Sequence, residues 1–335
     1  MSDPSTRQNK SPSPASIGFV PVRIPADMTL SAAARLISDG SGSKQQAAKR
    51  MLSAAAMHGI DLSMMWGTVD RSPDGRISRI REVCLAVPGS GRTAVMILGD
   101  PAGTGNGHVE RVGCIRAACG YLGAQGSDFK LAQTLPEPRQ AWAVDAYSDA
   151  GFVKVGDLAY MRRGVQPLES PSKQDWPEGV TVRNVRGLGP GDEDRRLILE
   201  ALDRSYLETL DCPELCGLRD TADVLESHRS TGDWNPRLWW LVFKHGQPHG
   251  CVLFNRVPEQ GSVELVYLGL SPDLRGTGLG LKLMVLGLES AIRTDATQVT
   301  CAVDLRNAPA LKLYGRLGFH EFGRRVAMVC PVGPA

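Results

Sequence analysis

The sequence predicts an α/β protein of two tandem domains that share one fold, and three observations predict it. Segments 139–152 and 306–319 align without a gap, matching Arg139 with Arg306, Ala141 with Ala308, Ala143 with Ala310, Tyr147 with Tyr314, Gly151 with Gly318 and Phe152 with Phe319. The offset is 167 (314 − 147) and still holds between Met161 and Met328 (328 − 161). Upstream of each copy lies a glycine loop, 103–107 and 276–280, at an offset of 173 (276 − 103) that a small change of loop length produces. A period this long describes two domains of one fold, since solenoid repeats span about 20–50 residues. In each half an initial meander of strands gives way to alternating strands and helices, the order of a mixed-direction sheet.

Periodicity places the elements in turn. In the first half, 18–24 reads as a strand, 30–38 and 44–58 as helices, and 62–69, 77–87 and 93–98 as strands. After the loop come a helix over 109–121, a strand over 129–133, a helix over 140–149 and a strand over 152–162. Pro167, Pro171 and Pro177 with polar neighbours mark a linker over 164–179. The order then repeats: strand 180–185, helix 192–206, an acidic segment with two cysteines to 218, helix 221–230, strands 238–244, 250–256 and 262–270, helix 281–292, and strand 298–303. The domains expected are 18–163 and 180–335, preceded by a disordered Ser- and Pro-rich tail over 1–17 that lacks the apolar core of a signal peptide.

Composition narrows the function classes. A chain of 335 residues is long enough for about two cores. Hydrophobic residues at 42% and charged residues at 22% are those of an ordinary globular protein. A net charge of +2 argues against a nucleic-acid surface. No apolar run reaches about 18 residues, so no membrane span is expected. The eight cysteines are dispersed, several within apolar runs, which points to a reducing compartment and a cytoplasmic location. Neither Cys212 with Cys216 nor Cys114 with Cys119 has a second Cys/His pair at zinc spacing, so no metal is expected.

The chemistry concentrates between Glu264 and Phe319. An apolar strand runs into Ser271-Pro272-Asp273-Leu274-Arg275-Gly276-Thr277-Gly278-Leu279-Gly280 and then into a helix. Glycines bring backbone close to a ligand, and the unpaired N–H groups of a helix's first turn attract an anion. Gly280 is followed by Leu281 and Lys282 with no hydroxyl residue, so this is not a Walker loop. Asp304, after the next strand, comes late for a dinucleotide fold.

Arg275, two residues, Gly278, one residue and Gly280, then Asn307, Ala310, Leu313-Tyr314 and Gly318-Phe319, follow one another in order and spacing. In this the sequence resembles the GNAT superfamily of acyl-CoA-dependent N-acyltransferases over about 262–328. The resemblance implies two tandem GNAT-like domains, each a mixed, mostly antiparallel twisted sheet flanked by helices. It further implies acetyl-CoA as acyl donor, held by Arg275, Gly276, Thr277, Gly278, Leu279, Gly280 and Asn307, with backbone N–H groups at Leu268, Gly269 and Leu270 on the pantetheine chain and thioester carbonyl.

Transfer to an amine needs a deprotonated nitrogen and a protonated leaving thiolate. Glu264 reads either as a general base or as a solvated strand-end carboxylate. Tyr314 reads either as the acid that protonates the thiolate or as a packing residue. Asp211 and Glu214 lie where the superfamily builds its acceptor wall, and either hold a cationic amine or serve as a cap and a solvated side chain. The acceptor is a small-molecule or protein amine, and the sequence leaves its identity and the oligomeric state open. Ala102 aligns with Arg275 and Gln140 with Asn307, so the amino half reads as a degenerate copy, the other reading being a second acyl-CoA site. A non-catalytic acyl-CoA-binding or regulatory protein is the alternative to an enzyme.

Overall fold

A computed structural model describes residues 19–38, 43–103, 105–124, 126–167 and 175–333. The expected tail and the centre of the expected linker lie outside the described residues. The amino half comprises β1 (Val22–Arg23), α1 (Thr29–Leu36), α2 (Lys44–Met57), β2 (Met65–Arg71), β3 (Ile77–Gly89), β4 (Thr93–Leu98), α3 (Gly107–Leu122), β5 (Leu131–Thr134), α4 (Ala141–Ala150) and β6 (Val153–Gly164). The carboxyl half repeats the order: β7 (Val180–Asn184), α5 (Glu193–Tyr206), α6 (Thr221–Ser230), β8 (Trp239–Lys244), β9 (Gln247–Val257), β10 (Ser262–Leu270), α7 (Leu279–Ala291), β11 (Gln298–Asp304), α8 (Ala308–Arg316) and β12 (His320–Pro331). The sheet is mixed and mostly antiparallel; among the described residues, pairing is parallel only at β4–β5 and β10–β11.

Both halves build one twelve-stranded sheet, in the order β1-β2-β3-β4-β5-β12-β6-β11-β10-β9-β8-β7. The last strand of each half therefore sits between the last two strands of the other. The registers are equivalent: Leu131 pairs with Pro331, and Gln298 (131 + 167) pairs with Gly164 (331 − 167). Between the exchanged strands Leu158 pairs with Arg325 (158 + 167), so a pseudo-twofold axis passes through that pair. Either half alone would expose strand edges here that the other now covers.

Helices fix the two faces. The larger core, with Trp239, Phe254, Val263, Leu265, Leu283 and Tyr314, lies in the carboxyl half. In the amino half Ile115, Leu122, Tyr147 and Met328 form one core, and Ala32, Ala48, Ile80 and Leu85 another. Leu131, Val155, Ala327 and Val329 join the halves. The β3–β4 turn of the amino half also rests on α6. Arg92 pairs with Asp220 and Asp223, and Ser227 donates to the Ser90 carbonyl at 2.9 Å. Gly91 has φ +69°, and a Cβ there would lie 2.0 Å from the Asp223 carbonyl oxygen, so only glycine fits.

Candidate functional site

The loop between β10 and α7 is held open by its backbone. Gly276 and Gly278 have φ of +75° and +81°, and a Cβ on either would meet nothing within 4 Å. Glycine is needed there for the torsion, and the space above it is free. Leu274 and Arg275 donate their amides to Ser271 and Pro272, and the α7 ladder begins with Leu281 to the Gly278 carbonyl. Among the described residues, the five amides from Gly276 to Gly280 donate to no protein acceptor. At the positive end of a helix this is a cradle for an anion.

Arg275, expected at the ligand, also holds the loop itself. Its guanidinium donates to the carbonyls of Leu270, Glu208, Ser205 and Leu207 at 2.7–2.9 Å, tying the loop to the end of α5. With its donors directed at carbonyls, it shapes the loop. The donors that the loop leaves without acceptors are its backbone amides.

A slot opens beside the loop. β10 pairs with β11 only from Ser262 to Leu265, and its register with β9 shifts between Leu265 and Tyr267, a bulge at Val266. Beyond it Leu268, Gly269 and Leu270 keep β9 on one edge and have no strand on the other. Strand backbone groups alternate between edges, so part of this segment faces the slot.

Glu264 and Tyr314 lie on opposite faces of the sheet. Glu264 lies between buried Val263 and Leu265, so its side chain takes the other face. Its partner in β9, Asn255, reaches the His228 and Thr231 carbonyls at the end of α6 on that face. Burial raises the Glu264 carboxyl above its ordinary range. Cys301, paired with Leu265, shares the α8 face with Tyr314. Tyr314 is 6% exposed and packs on Phe319 with ring centroids 5.7 Å apart. Burial, then Cys301 and Asp211, push its hydroxyl well above the ordinary value, so it stays protonated. Asn307 caps α8 by accepting from the Ala310 amide at 3.3 Å, which fixes the helix that carries Tyr314.

Asp211 and Glu214 are drawn into a network at the end of β11. Asp211 Oδ1 accepts the Asp304 amide at 3.0 Å, and buried Asp304 accepts from the Cys212 amide and from Arg306. Glu214 pairs with Arg306, which holds its carboxyl below the usual range. Crowding by protein atoms raises the Asp211 carboxyl, and the Asp304 charge adds to this. The network pins segment 211–216 over the exchanged strand, where Arg306 also donates to the Val155 carbonyl at 2.7 Å.

Tyr267 escaped the sequence reading. Its hydroxyl lies 2.8 Å from Ser205 Oγ, and its ring stacks on His228 at 5.3 Å. Burial pushes His228 down to about 4, so the imidazole is neutral at pH 7. The bulge that turns Tyr267 toward α5 and α6 is a tertiary feature, and alternation alone would have pointed it elsewhere.

With the loop, bulge and splayed strands established, comparison with known proteins is decisive for the carboxyl half. Residues 204–319 match the acetyltransferase (GNAT) family. The carboxyl half carries a GNAT domain. Over 195 residues the chain is 29% identical to the mycothiol acetyltransferase of Streptomyces bingchenggensis (strain BCW-1), covering 55% of this chain and 59% of that protein. The chain thus spans about three fifths of that relative's length. A GCN5-related N-acetyltransferase from Sphaerobacter thermophilus has a similar fold, with TM-score 0.53, 22% identity and 93% of each chain covered. So does a tandem GNAT protein from the clavulanic acid biosynthesis pathway, with TM-score 0.51, 16% identity, and 95% and 99% of the chains covered. The architecture is two tandem GNAT-like domains, and the slot and loop described above belong to the second.

Proposed function

We propose that the protein is an N-acetyltransferase that moves the acetyl group of acetyl-CoA to a primary amine of a small molecule or protein, with catalysis in the carboxyl-terminal GNAT domain. The observation that carries this reading is the run of five undonated amides from Gly276 to Gly280 at the start of α7, beside the slot that opens past Leu265. The amides take the pyrophosphate. Edge amides among Leu268, Gly269 and Leu270 hold the pantetheine chain and the thioester carbonyl, where preorganised donors stabilise the developing oxyanion.

Glu264 takes the amine proton, directly or through water, and its raised carboxyl brings it nearer neutrality as a base. The amine nitrogen bonds to the thioester carbon, the C–S bond breaks, and Tyr314 gives its proton to the thiolate. Eight free cysteines, five of them buried, support action in the reducing cytoplasm. The name of the mycothiol acetyltransferases describes those relatives.

Release of free CoA thiol from acetyl-CoA over a panel of amines tests the proposal, with mass spectrometry of the acetylated product. An acyl-CoA-binding protein without catalysis would show tight acetyl-CoA binding and no thiol release with any amine, and that result would overturn the enzyme reading.

A further inference from the structure

A cavity of about 420 Å³ opens where the exchanged strands meet, lined by Arg139 and Tyr160 of the amino half and Phe322, Arg324 and Arg325 of the carboxyl half. Its position relative to the slot follows from register. Glu264 pairs with Thr300, and Thr300 with Arg162, so these share a face; Ala302 and Tyr160, two residues along each strand, share it too. Ala302 stands just past the last β10–β11 pair, where the slot opens. Tyr160 is therefore about 5 Å to the side of the slot, one strand spacing, and β12 with Arg324 and Arg325 is about 10 Å away.

The wall is a ladder of cations and rings. The Arg162 guanidinium lies 5.2 Å from the Phe322 ring centre, Phe322 meets Tyr160 edge-on at 6.2 Å, and the Arg325 guanidinium lies 5.7 Å from the Tyr160 ring centre. Arg139 pairs with Glu137 at 2.5 Å, Arg325 with Glu137 at 3.5 Å, and Arg324 with Glu321 at 2.8 Å. Three guanidinium groups, of Arg139, Arg324 and Arg325, line the cavity against one carboxylate, Glu137, an excess of two positive charges; Arg325, opposite Leu158, stands on the Tyr160 face, whereas Arg324, opposite Ala159, starts from the other. The rings and the β12 cation lack an equivalent across the pseudo-twofold axis: Tyr160 maps to Ala327, Phe322 to Val155 and Arg325 to Leu158, each at offset 167, and only Arg139 and Glu137 have counterparts, in Arg306 and Asp304. A feature confined to one side of a symmetric junction, on the face of Glu264, is placed for that domain's acceptor.

We propose that this cavity is a subsite for an anionic group of the acceptor, a carboxylate or phosphate about 10 Å from the amine that Glu264 serves. The proposal rests on the acetyltransferase reading for the role of the amine. Aromatic faces cover the linking chain, and planar guanidinium forks suit an oxyanion.

The experiment compares ω-amino carboxylates of graded length with their carboxamides, in the wild type and in R324Q/R325Q. In the wild type kcat/KM for the acid should exceed that for the amide at least tenfold at the best length, and in the double variant the ratio should fall to near one. A ratio near one in the wild type, or one that survives in the double variant, would overturn the subsite. R139Q, at a side chain 83% exposed, tests the same ratio without risk to the fold and should lower it severalfold. Titration calorimetry of the same acids and amides with CoA present separates the two ideas. Tighter binding of the acid that R324Q/R325Q abolishes sustains the subsite even if no amine is acetylated, and equal binding of acid and amide removes it.

Discussion

Glu264 pairs with Thr300 just before β10 leaves β11, and Val95 pairs with Gln133 just before β4 leaves β5. The partners are 167 apart (300 − 133), so Val95 occupies the place of the proposed base. The strands also part differently: β10 bulges at Val266, whereas β4 keeps an unbroken register with β3. Next to the loops, Ala102 replaces Arg275, and its amide donates to Glu82 at 2.9 Å. Glu82 is buried with Arg111, and Glu110 in the first turn of α3 is buried with Arg81 and Thr68. At offset 173 those α3 positions are Leu283 and Met284 in α7, both apolar. The amino half thus fills the space beneath its loop with two buried ion pairs whose charges cancel and ties the Ala102 amide to one of them, where the carboxyl half has apolar side chains. It keeps a cavity of about 190 Å³ between Val95, Trp142 and Tyr147, with no carboxylate or cation lining it. Shared backbone register preserves a cleft; it does not preserve chemistry.

The largest expected effect contrasts the two tyrosines. Tyr147 is 1% exposed and its hydroxyl is enclosed, whereas the Tyr314 hydroxyl is not among the enclosed oxygens that lack a partner. Tyr314→Phe should lower kcat about 10²-fold, about 2.7 kcal/mol, with the KM for acetyl-CoA nearly unchanged. Tyr147→Phe should leave kcat within about twofold. Steady-state kinetics with an amine for which chemistry is rate-limiting decides the matter, and full turnover by Tyr314→Phe would mean that the thiolate leaves with a proton from water.

Next comes a pair of matched ion pairs. Arg306 and Asp304 correspond at offset 167 to Arg139 and Glu137. Asp304 is fully buried and depends on Arg306, whereas the Arg139 side chain is 83% exposed. Arg306→Ala strands a buried carboxylate and should lower stability by about 2 kcal/mol, while Arg139→Ala should change it by less than about 0.5 kcal/mol. Chemical denaturation of both variants measures the difference, and equal effects would deny the network over segment 211–216 any structural weight.

Much of this was legible in the sequence because the last part of each repeat keeps one offset. Helices α4 and α8 and strands β6 and β12 fall at one offset, and the glycine loop and Tyr314 follow from local pattern. The exchange of β6 and β12 was not legible, since each strand carries the same alternation whichever half it joins, and pairing is decided by contacts 150 or more residues apart. The four carbonyls near the ends of α5 and β10 that Arg275 reaches were not legible either, because they come together only after folding. The Tyr160 ladder was invisible for the same reason: its members come from the last strands of the two halves, far apart in the chain.

A third comparison tests the loops. Gly278→Asp places a carboxylate and a strained Cβ beside the undonated amides, and acetyl-CoA affinity should fall at least tenfold, about 1.4 kcal/mol. Gly105, which matches Gly278 at offset 173 (278 − 105) and also has open space around it, is the control in the amino half, and Gly105→Asp should leave affinity unchanged. Calorimetric titration of the whole chain should also give a stoichiometry near one. Two equivalent tight sites would end the distinction between the halves.

The smallest effect concerns Glu264 against Val95 and depends on pH. Burial raises the folded-state pKa of Glu264, so the folded protein holds that proton more tightly than the unfolded chain. Below the unfolded carboxylate pKa the group is neutral in both states and the wild type suffers no penalty. As pH rises through the folded pKa, the protein must carry a partly buried carboxylate, and this contribution to stability is lost. Glu264→Gln should therefore melt higher than the wild type at neutral pH, with the gap closing as pH falls below about 4. The same variant removes the base, so the acidic limb of the kcat/KM profile should disappear along with most of the rate. Val95→Gln, at the matched place in the amino half, should change neither limb. If Glu264→Gln keeps the acidic limb, the titrating base is another group, and the contrast with Val95 is one of packing alone.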